Sequence, residues 1–512
     1  MPEARQHAIP PLQSRLARIA LLLVAGTLQT LTFSPFDAWP LGPLSIALLC
    51  WIAWYLPSGA LFRTGWWFGI GLFGTGASWV FVSINTYGST SLPLSLALTG
   101  LFVAGLSLFP ALTFWGWGKL AGPDSIRRLW LLPGVWVIGD WLRGHVLTGF
   151  PWLYLGTSQV SGPLAGWAPI AGVHAVTLIE VATGAALFAA YRAYRLQQRK
   201  LSGGLVGAIL VVWLISPLLS RIQWTKPESQ PISFVAAQGD VPQLMKWDPK
   251  FLSRQIKDYF HLTEGHWNKD LVLWPETAIP LPQDDAGPII DDIRQLLGPN
   301  TTLVTGIPWH TYSDTGQDIY HNSIMAMGDG SGVYHKQKLV PFGEYVPLEH
   351  WLRGLIAFFD LPMSEFTKGP AHQEPLTVGA HKVMPFICYE IAYPDFVAHN
   401  AEHTNYLINI SNDAWFGHSL GPLQHLQIVR MRALETQRYI LRDTNNGITA
   451  LVGPDGQIEE RAPRFVQTVM TGKLYPVTGL TPFMRWGSWP ALIIGLALIV
   501  LARSRKLGPE SS

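Results

Sequence analysis

The sequence predicts a two-part protein: a polytopic α-helical membrane domain of eight transmembrane helices, joined to a water-facing, layered α/β domain. Three observations predict it. Charged residues make up only 14% of the 512 and the mean hydropathy is +0.21, both unusual for a soluble chain. Charge is sparse between residues 16 and 219 and near-normal between 221 and 485. Finally, eight apolar stretches punctuate the chain, at 16–33, 41–56, 65–84, 92–118, 129–147, 168–190, 204–220 and 488–502. A hydrocarbon core of ~30 Å needs roughly 20 apolar residues as a helix, so the second and last are short. The implied domains are 1–220 (helices 1–7), 221–486 (water-facing) and 487–512 (helix 8 and tail).

The loops orient these helices. With the N-terminus inside, the inside segments carry Arg5, Arg15 and Arg18, then Arg63, then Lys119, Arg127 and Arg128. Arg192, Arg195, Arg199 and Lys200 follow, and finally Arg503, Arg505 and Lys506. The outside loops at 35–40 and 85–91 carry no Lys or Arg, and 143–167 carries only Arg143. This asymmetry follows the positive-inside rule. Both termini are expected in the cytoplasm and the 221–486 domain outside, in the periplasm of a Gram-negative cell. The first stretch has no small-residue cleavage site and the chain re-enters the membrane at once, so it is read as a retained helix.

A net charge of +2 says nothing about nucleic acid, but no basic tract that could follow a phosphate backbone is present, so no nucleic-acid partner is expected. The 23 tryptophans fit extensive lipid–water boundaries, with core packing as the plainer use for most. Cys50 lies in an apolar run and Cys388 far along the polar part, so no disulfide is expected between them. Asp140, Arg143 and Glu180 sit in or near apolar helices, where ionisable groups are expensive. Asp140 and Arg143, three apart, read as one local ion pair near a helix end. Gly65 and Gly69 have the spacing of a close helix approach. The aromatic 148–166 loop suits an interfacial element.

Within the outer domain, apolar β-branched runs at 232–237, 271–274, 302–306, 323–327, 383–388, 406–410 and 447–452 read as buried strands. Glycine-rich turns at 328–332 and 453–456 close two hairpins, and 250–267 and 422–439 read as amphipathic helices.

Polar residues directly after three of these segments carry the chemistry. In LVLWPE a strand stops at a proline and Glu276 follows. In YHKQKLVPFGEYVP an apolar centre separates Lys336 from Glu344. In VMPFICYE an apolar strand runs into Cys388, with Tyr389 and Glu390 next. That is the place of a nucleophile on a strand-to-helix elbow, near backbone N–H groups able to hold an oxyanion. Taken singly, Glu276 reads as a solvated glutamate, Lys336 as a surface lysine and Cys388 as a small core residue. Together they supply thiol, base and cation, the set acyl transfer needs without a Ser–His pair. A free thiol of pKa ~8.5 needs a base and a nearby positive charge. His418 and His425 fit no standard zinc spacing and read as surface or packing residues, and no glycine-rich phosphate loop precedes a helix. No metal or cofactor is expected.

The order WPE, K before LVPFGEYVP, and ICYE resembles the Glu–Lys–Cys triad of the nitrilase superfamily. Within it the chain most resembles the bacterial apolipoprotein N-acyltransferases, which place such a domain between the last two of eight membrane helices. QGDVPQ…KWD near Trp247 and NISNDAWFG at 409–417 also resemble that family's motifs. The resemblance implies an αββα nitrilase-like sandwich and a ping-pong transfer through a Cys388 thioester. It further implies a membrane phospholipid as acyl donor and the α-amino group of a lipoprotein's diacylglyceryl-cysteine as acceptor, the last step of lipoprotein maturation. It assigns Glu276 as general base, Lys336 as oxyanion stabiliser and Glu344 as a supporting carboxylate. The Tyr389 N–H becomes an oxyanion donor and Glu390 a support of the elbow. The resemblance also implies that Trp247 falls on an arm at the lipid entrance and that Asn412 and Trp415 line the pocket. Two rivals stay open: a membrane-anchored amidase with the same triad, and a transporter or receptor whose outer domain only binds.

Overall fold

The computed structural model describes residues 14–504 apart from 89, 124 and 347–364. Arg5, Arg505 and Lys506 of the charge argument, and Pro347 of the second motif, lie outside the described residues. The chain divides into two compact units. One comprises the residues up to Val80, Leu96–Ile222 and those from Trp486; the other comprises Phe81–Ser95 and Gln223–Arg485.

Every one of the eight apolar stretches falls on helix. The helices are Arg15–Thr30, Leu41–Trp54, Leu61–Gly76, Leu92–Leu120, Ile126–Arg143, Ala168–Arg195, Arg199–Leu219 and Trp489–Ser504. Among the described residues, three are individually long and apolar enough to cross a membrane: Leu92–Leu120, Ala165–Arg195 counted with its leading turn, and Arg199–Leu219. Leu41–Trp54 and Trp489–Ala502 are shorter apolar helices. Side-chain caps fix two of the starts. Ser14 accepts from Ala17 N at 3.3 Å and Ser125 from Arg127 N at 3.3 Å. The stretch expected as one helix over 65–84 breaks after Gly76, and Phe81–Ser95 groups with the second unit. There Ser83 donates to the Trp415 carbonyl at 2.9 Å and Tyr87 meets the Trp415 ring edge-on. Side-chain partners in the second unit override the helical run.

The small residues of the membrane unit earn their spacing. A Cβ on Gly65 would lie 2.2 Å from the Pro110 carbonyl oxygen, and one on Gly69 2.8 Å from the Pro110 ring. The two helices therefore meet at backbone distance. Arg143 and Asp140 do form the local pair, at 2.9 Å, and Arg143 also donates to the Phe150 carbonyl.

In the second unit, β1 (Thr225–Pro227) pairs with β14 (Val477–Gly479) as a two-stranded ribbon. The first large sheet contains β2 (Ile232–Gln238), β3 (Leu271–Leu273), β4 (Thr302–Tyr312), β5 (Asp318–Gly328) and β6 (Gly332–His335). The second contains β7 (Leu376–Val378), β8 (His381–Ile387), β9 (Tyr406–Ser411), β10 (Ile440–Thr444), β11 (Ala450–Val452) and β12 (Ile458–Arg461). β13 (Thr468–Leu474) returns to the edge of the first, beside β2. The orders are β13-β2-β3-β4-β5-β6 and β7-β8-β9-β10-β11-β12. Each sheet steps antiparallel, parallel, parallel, antiparallel, antiparallel along its order. Strands β2 and β10 touch across the sheets, helix Pro249–Thr263 covers β2 and β13, and helix Gly421–Thr436 lies on β11. The layers run helix, sheet, sheet, helix. Asp248 caps the first of these helices by accepting from Lys250 N at 3.0 Å, with Pro249 in the first turn. Val235, Val272, Trp274, Tyr259 and Ile293 form the core beneath the first sheet.

The sequence reading missed β1, β7, β10, β13 and β14. The charges of ILRDT and the glycine and lysine of TVMTGKL break the apolar run that marks a buried strand.

Gly306 on β4 backs the exit of β3. A Cβ there would lie 2.4 Å from Thr277 N and 2.8 Å from Glu276 Cα. Gly306→Ala should displace the Pro275–Glu276–Thr277 turn at an overpacking cost of about 1–3 kcal/mol. A lowered unfolding midpoint in detergent and a loss of activity are expected; an unchanged midpoint would contradict the packing.

Candidate active site

The candidate residues gather where strands end, the usual place for a site in a sheet with parallel steps. Glu276 follows β3, Lys336 follows β6, Cys388 follows β8, and Asn412 follows β9. Three residues at these exits hold left-handed backbone: Thr277 (φ 51°), Phe342 (φ 63°) and Cys388 (φ 49°). A non-glycine residue there costs roughly 1–2 kcal/mol, so surrounding contacts must impose it.

Lys336, 1% exposed, is the hub. Its Nζ lies 2.8 Å from Glu344 Oε1 and 3.5 Å from Glu276 Oε1. Asn322 Nδ2 donates to both carboxylates, at 2.8 Å each. The remaining oxygens are also used: Glu276 Oε2 accepts from Asn412 N and Glu344 Oε2 from Val340 N, both at 2.8 Å. Burial lowers the pKa of Lys336, but the two carboxylates outweigh burial and hold the ammonium above its ordinary pKa.

Cys388 keeps partial solvent exposure, in contrast to the sealed Cys50. Burial pushes its thiol up to about 12, and Glu276 adds to the rise while Lys336 opposes it. At neutral pH the sulfur is therefore a thiol, and a base must take its proton as the new bond forms.

Glu390, fully buried, accepts from Ile387 N (2.8 Å), Tyr334 Oη (2.9 Å) and Gln337 N (2.6 Å). It ties the elbow to the segment that carries Lys336. Burial raises its carboxyl to about 7, against the pull of these backbone donors. Tyr389, packed edge-on against Tyr393, contributes the peptide N–H next to the nucleophile. Asn412 also donates to Gln243 Oε1 at 2.6 Å, fastening the 243–247 segment on which Trp247 sits half-buried. Trp415 is half-buried against Tyr87.

Four side chains escaped the sequence reading: Asn322, described above, Lys246, Asp413 and Arg442. Lys246, 3% exposed, donates to the Glu276 carbonyl at 2.7 Å, and burial lowers its ammonium to about 8 despite Glu276 and Cys388 nearby. Asp413 and Arg442 form a fully buried pair at 2.7 Å. His425 is a packing residue as expected, but one whose ring contacts Asp413, Arg442 and the Cys388 carbonyl. Lys246 and Asp413 lie inside the quoted motifs, and Arg442 interrupts an apolar strand; a charge inside an apolar or motif context was the available signal. His418 is exposed, beside Phe465.

Donor atoms of Cys388, Asp413 and His425 fall within 4.8 Å of one another, close enough for a cation. Arg442 already supplies the positive charge beside Asp413, so the donor set fits a metal poorly.

Carbamidomethylation of Cys388 should accelerate steadily from pH 7 to beyond pH 10, as the thiolate fraction grows. Glu276→Gln removes a negative charge that raises the thiol pKa, so alkylation at pH 9 should quicken by about tenfold. Mass spectrometry of the modified peptide reads both, and a rate that plateaus below pH 9 would contradict the environment described.

The chain is similar to known proteins along nearly its whole length. Residues 25–186 match the apolipoprotein N-acyltransferase N-terminal domain, and residues 235–479 match the carbon–nitrogen hydrolase family. The apolipoprotein N-acyltransferase of Azotobacter vinelandii (strain DJ) is 45% identical over 491 residues, 94% of this chain and 93% of that one. That of Pseudomonas aeruginosa (strain LESB58) is 42% identical over 96% of each chain. The Coxiella burnetii protein of the same name is 37% identical over 94% of this chain and 98% of its own. With a Glu–Lys–Cys constellation on an α/β sandwich and relatives of this similarity along nearly its whole length, the chain belongs to the apolipoprotein N-acyltransferase family.

Proposed function

We propose that this enzyme moves a fatty acyl chain from a membrane phospholipid to the α-amino group of a lipoprotein's N-terminal diacylglyceryl-cysteine, through a thioester on Cys388. The observation that carries this reading is the buried ammonium of Lys336, bridging Glu276 and Glu344 with Cys388 inside the field of both charges.

In the first half, Sγ attacks the ester carbonyl carbon while Glu276 takes the thiol proton. The carbonyl oxygen becomes an oxyanion facing Lys336 and the Tyr389 N–H. Collapse breaks the ester C–O bond, and the proton on Glu276 passes to the departing lysophospholipid oxygen. In the second half the amine attacks the thioester, Glu276 accepts an amine proton, and as the C–S bond breaks that proton passes to the departing sulfur, regenerating the thiol and the free carboxylate. Glu344 keeps Lys336 in place and charged, and Glu390 holds the elbow.

Trp247 belongs to an arm at the lipid entrance, with Asn412 and Trp415 lining the pocket. The hydrogen bond from Asn412 to Gln243 and the half-burial of both tryptophans support this. Eight membrane spans with both termini in the cytoplasm, and residues 221–486 in the periplasm, suit the work. Both substrates are lipid-anchored, and a site at the outer leaflet of the inner membrane meets them without extracting their chains. The charge asymmetry of the loops supports that orientation. The helices Leu41–Trp54 and Trp489–Ser504 are short for spans, which thinning of the bilayer or flanking residues accommodate.

Incubation with a defined phospholipid should add one acyl mass to the Cys388 peptide and release lysophospholipid. Cys388→Ala should abolish both, with lipoprotein N-acylation reduced by at least ~10³-fold. Unchanged N-acylation in that variant would end the proposal, and free fatty acid in place of amide would point to an amidase.

A further inference from the structure

The elbow needs a restraint that the triad does not supply. Cys388 holds φ 49°, a conformation its own side chain disfavours. Its carbonyl oxygen lies 3.0 Å from Nε2 of His425, on helix Gly421–Thr436. His425 is 2% exposed, and its Nδ1 lies 3.1 Å from Arg442 Nη2 and 3.2 Å from Asp413 Oδ1. Arg442 is anchored in turn: Nη2 donates to Asp413 Oδ2 at 2.7 Å and Nη1 donates to Asn409 Oδ1. Ser411 Oγ donates to Asp413 Oδ1 at 2.8 Å.

The Cys388 carbonyl fixes a hydrogen on Nε2, since a carbonyl only accepts and the nitrogen facing it must donate. At Nδ1 a guanidinium, which only donates, and a carboxylate, which only accepts, lie at similar distances; in the neutral ring the bare Nδ1 accepts from Arg442. Burial and the adjacent Arg442 push His425 below its ordinary pKa, outweighing Asp413, in agreement with a neutral ring.

The Cys388 carbonyl and the Tyr389 N–H belong to one planar peptide unit and point in opposite directions. Whatever holds the oxygen aims the N–H. We propose that His425 is a positioning residue for acyl transfer, its Nε2–H gripping the Cys388 carbonyl so that the Tyr389 N–H faces the oxyanion on the acyl carbon. This rests on the thioester reading. Withdrawal of charge from the carbonyl also polarises the amide, strengthening the N–H as a donor. Asp413 and Arg442 act one step further out, by fixing the ring.

The test compares His425→Leu, which has no donor, with His425→Gln, whose amide N–H can reach the same oxygen. The readouts are single-turnover acylation of Cys388 from a phosphatidylethanolamine bearing a fluorescent chain, the KM for that lipid, and the unfolding midpoint. Leucine should slow acylation by about 10²–10³-fold, the effect of losing one oxyanion donor, with KM changed less than about threefold. Glutamine should recover at least about tenfold of that loss. Acylation by His425→Leu within about threefold of wild type would overturn the proposal. So would equal loss in both variants at equal midpoints, the signature of packing alone. Should the leucine variant fail to fold, His425→Gln decides: a rate within about thirtyfold of wild type supports the role, and a larger loss in a folded protein overturns it. Absence of any acyl-enzyme in the wild type would sink the thioester reading, and this inference with it.

Discussion

The site depends on one buried cation. Lys336, with Glu276 and Glu344 around it and each of the three 5% exposed or less, would be prohibitively expensive as an isolated charge. Here every partner is used. Asn322 bridges the two carboxylates, backbone N–H groups from Asn412 and Val340 occupy the other oxygens, and the ammonium lies between. The three elements that contribute these groups are thus locked to one another by the penalty of leaving any charge unpaired. The same arrangement sets the environment of Cys388, whose thiol burial and Glu276 push up and Lys336 draws down.

Backbone strain at the site is the counterpart of that electrostatic lock. Left-handed residues at Thr277, Phe342 and Cys388 turn the chain sharply at the strand exits. Each turn brings a functional group over the sheet rather than along it. Glu390 and His425 restrain the Cys388 elbow from opposite ends, one through the Ile387 N–H and the other through the Cys388 carbonyl. The recurrence of one strand-step pattern in both sheets provides two sets of parallel strand ends, and the site draws on both.

In the membrane unit, buried charge has a different use. Arg128, fully buried, donates to the carbonyls of Ala53, Leu56 and Ala121, satisfying oxygens at the ends of helices. Arg143 does the same for Phe150 while paired with Asp140. Glu180 accepts from Gln159 at 3.3 Å beside Gly42, where a Cβ would lie 2.0 Å from its carboxylate. The two arginines thus satisfy backbone oxygens in an apolar setting, where water cannot, while Glu180 meets the side chains of Gln159 and Ser158.

The sequence by itself determined the helical stretches, the division of charge between two parts, and the three motifs with their nucleophile. Hydropathy and local order are properties of consecutive residues. It also grouped Glu276, Lys336 and Cys388 as candidates, through a resemblance rather than through spacing. Tertiary structure decided the rest. Asn322, Lys246, Asp413 and Arg442 look like ordinary polar residues in the linear chain and acquire meaning only when sheets stack and water is excluded. β10 was invisible because Arg442 breaks the apolar pattern, yet its guanidinium is paired inside the fold. The helix expected over 65–84 breaks because partners more than 300 positions away, at Trp415, capture Ser83. Contacts between distant segments carry no periodic signature, so only the folded chain could reveal them.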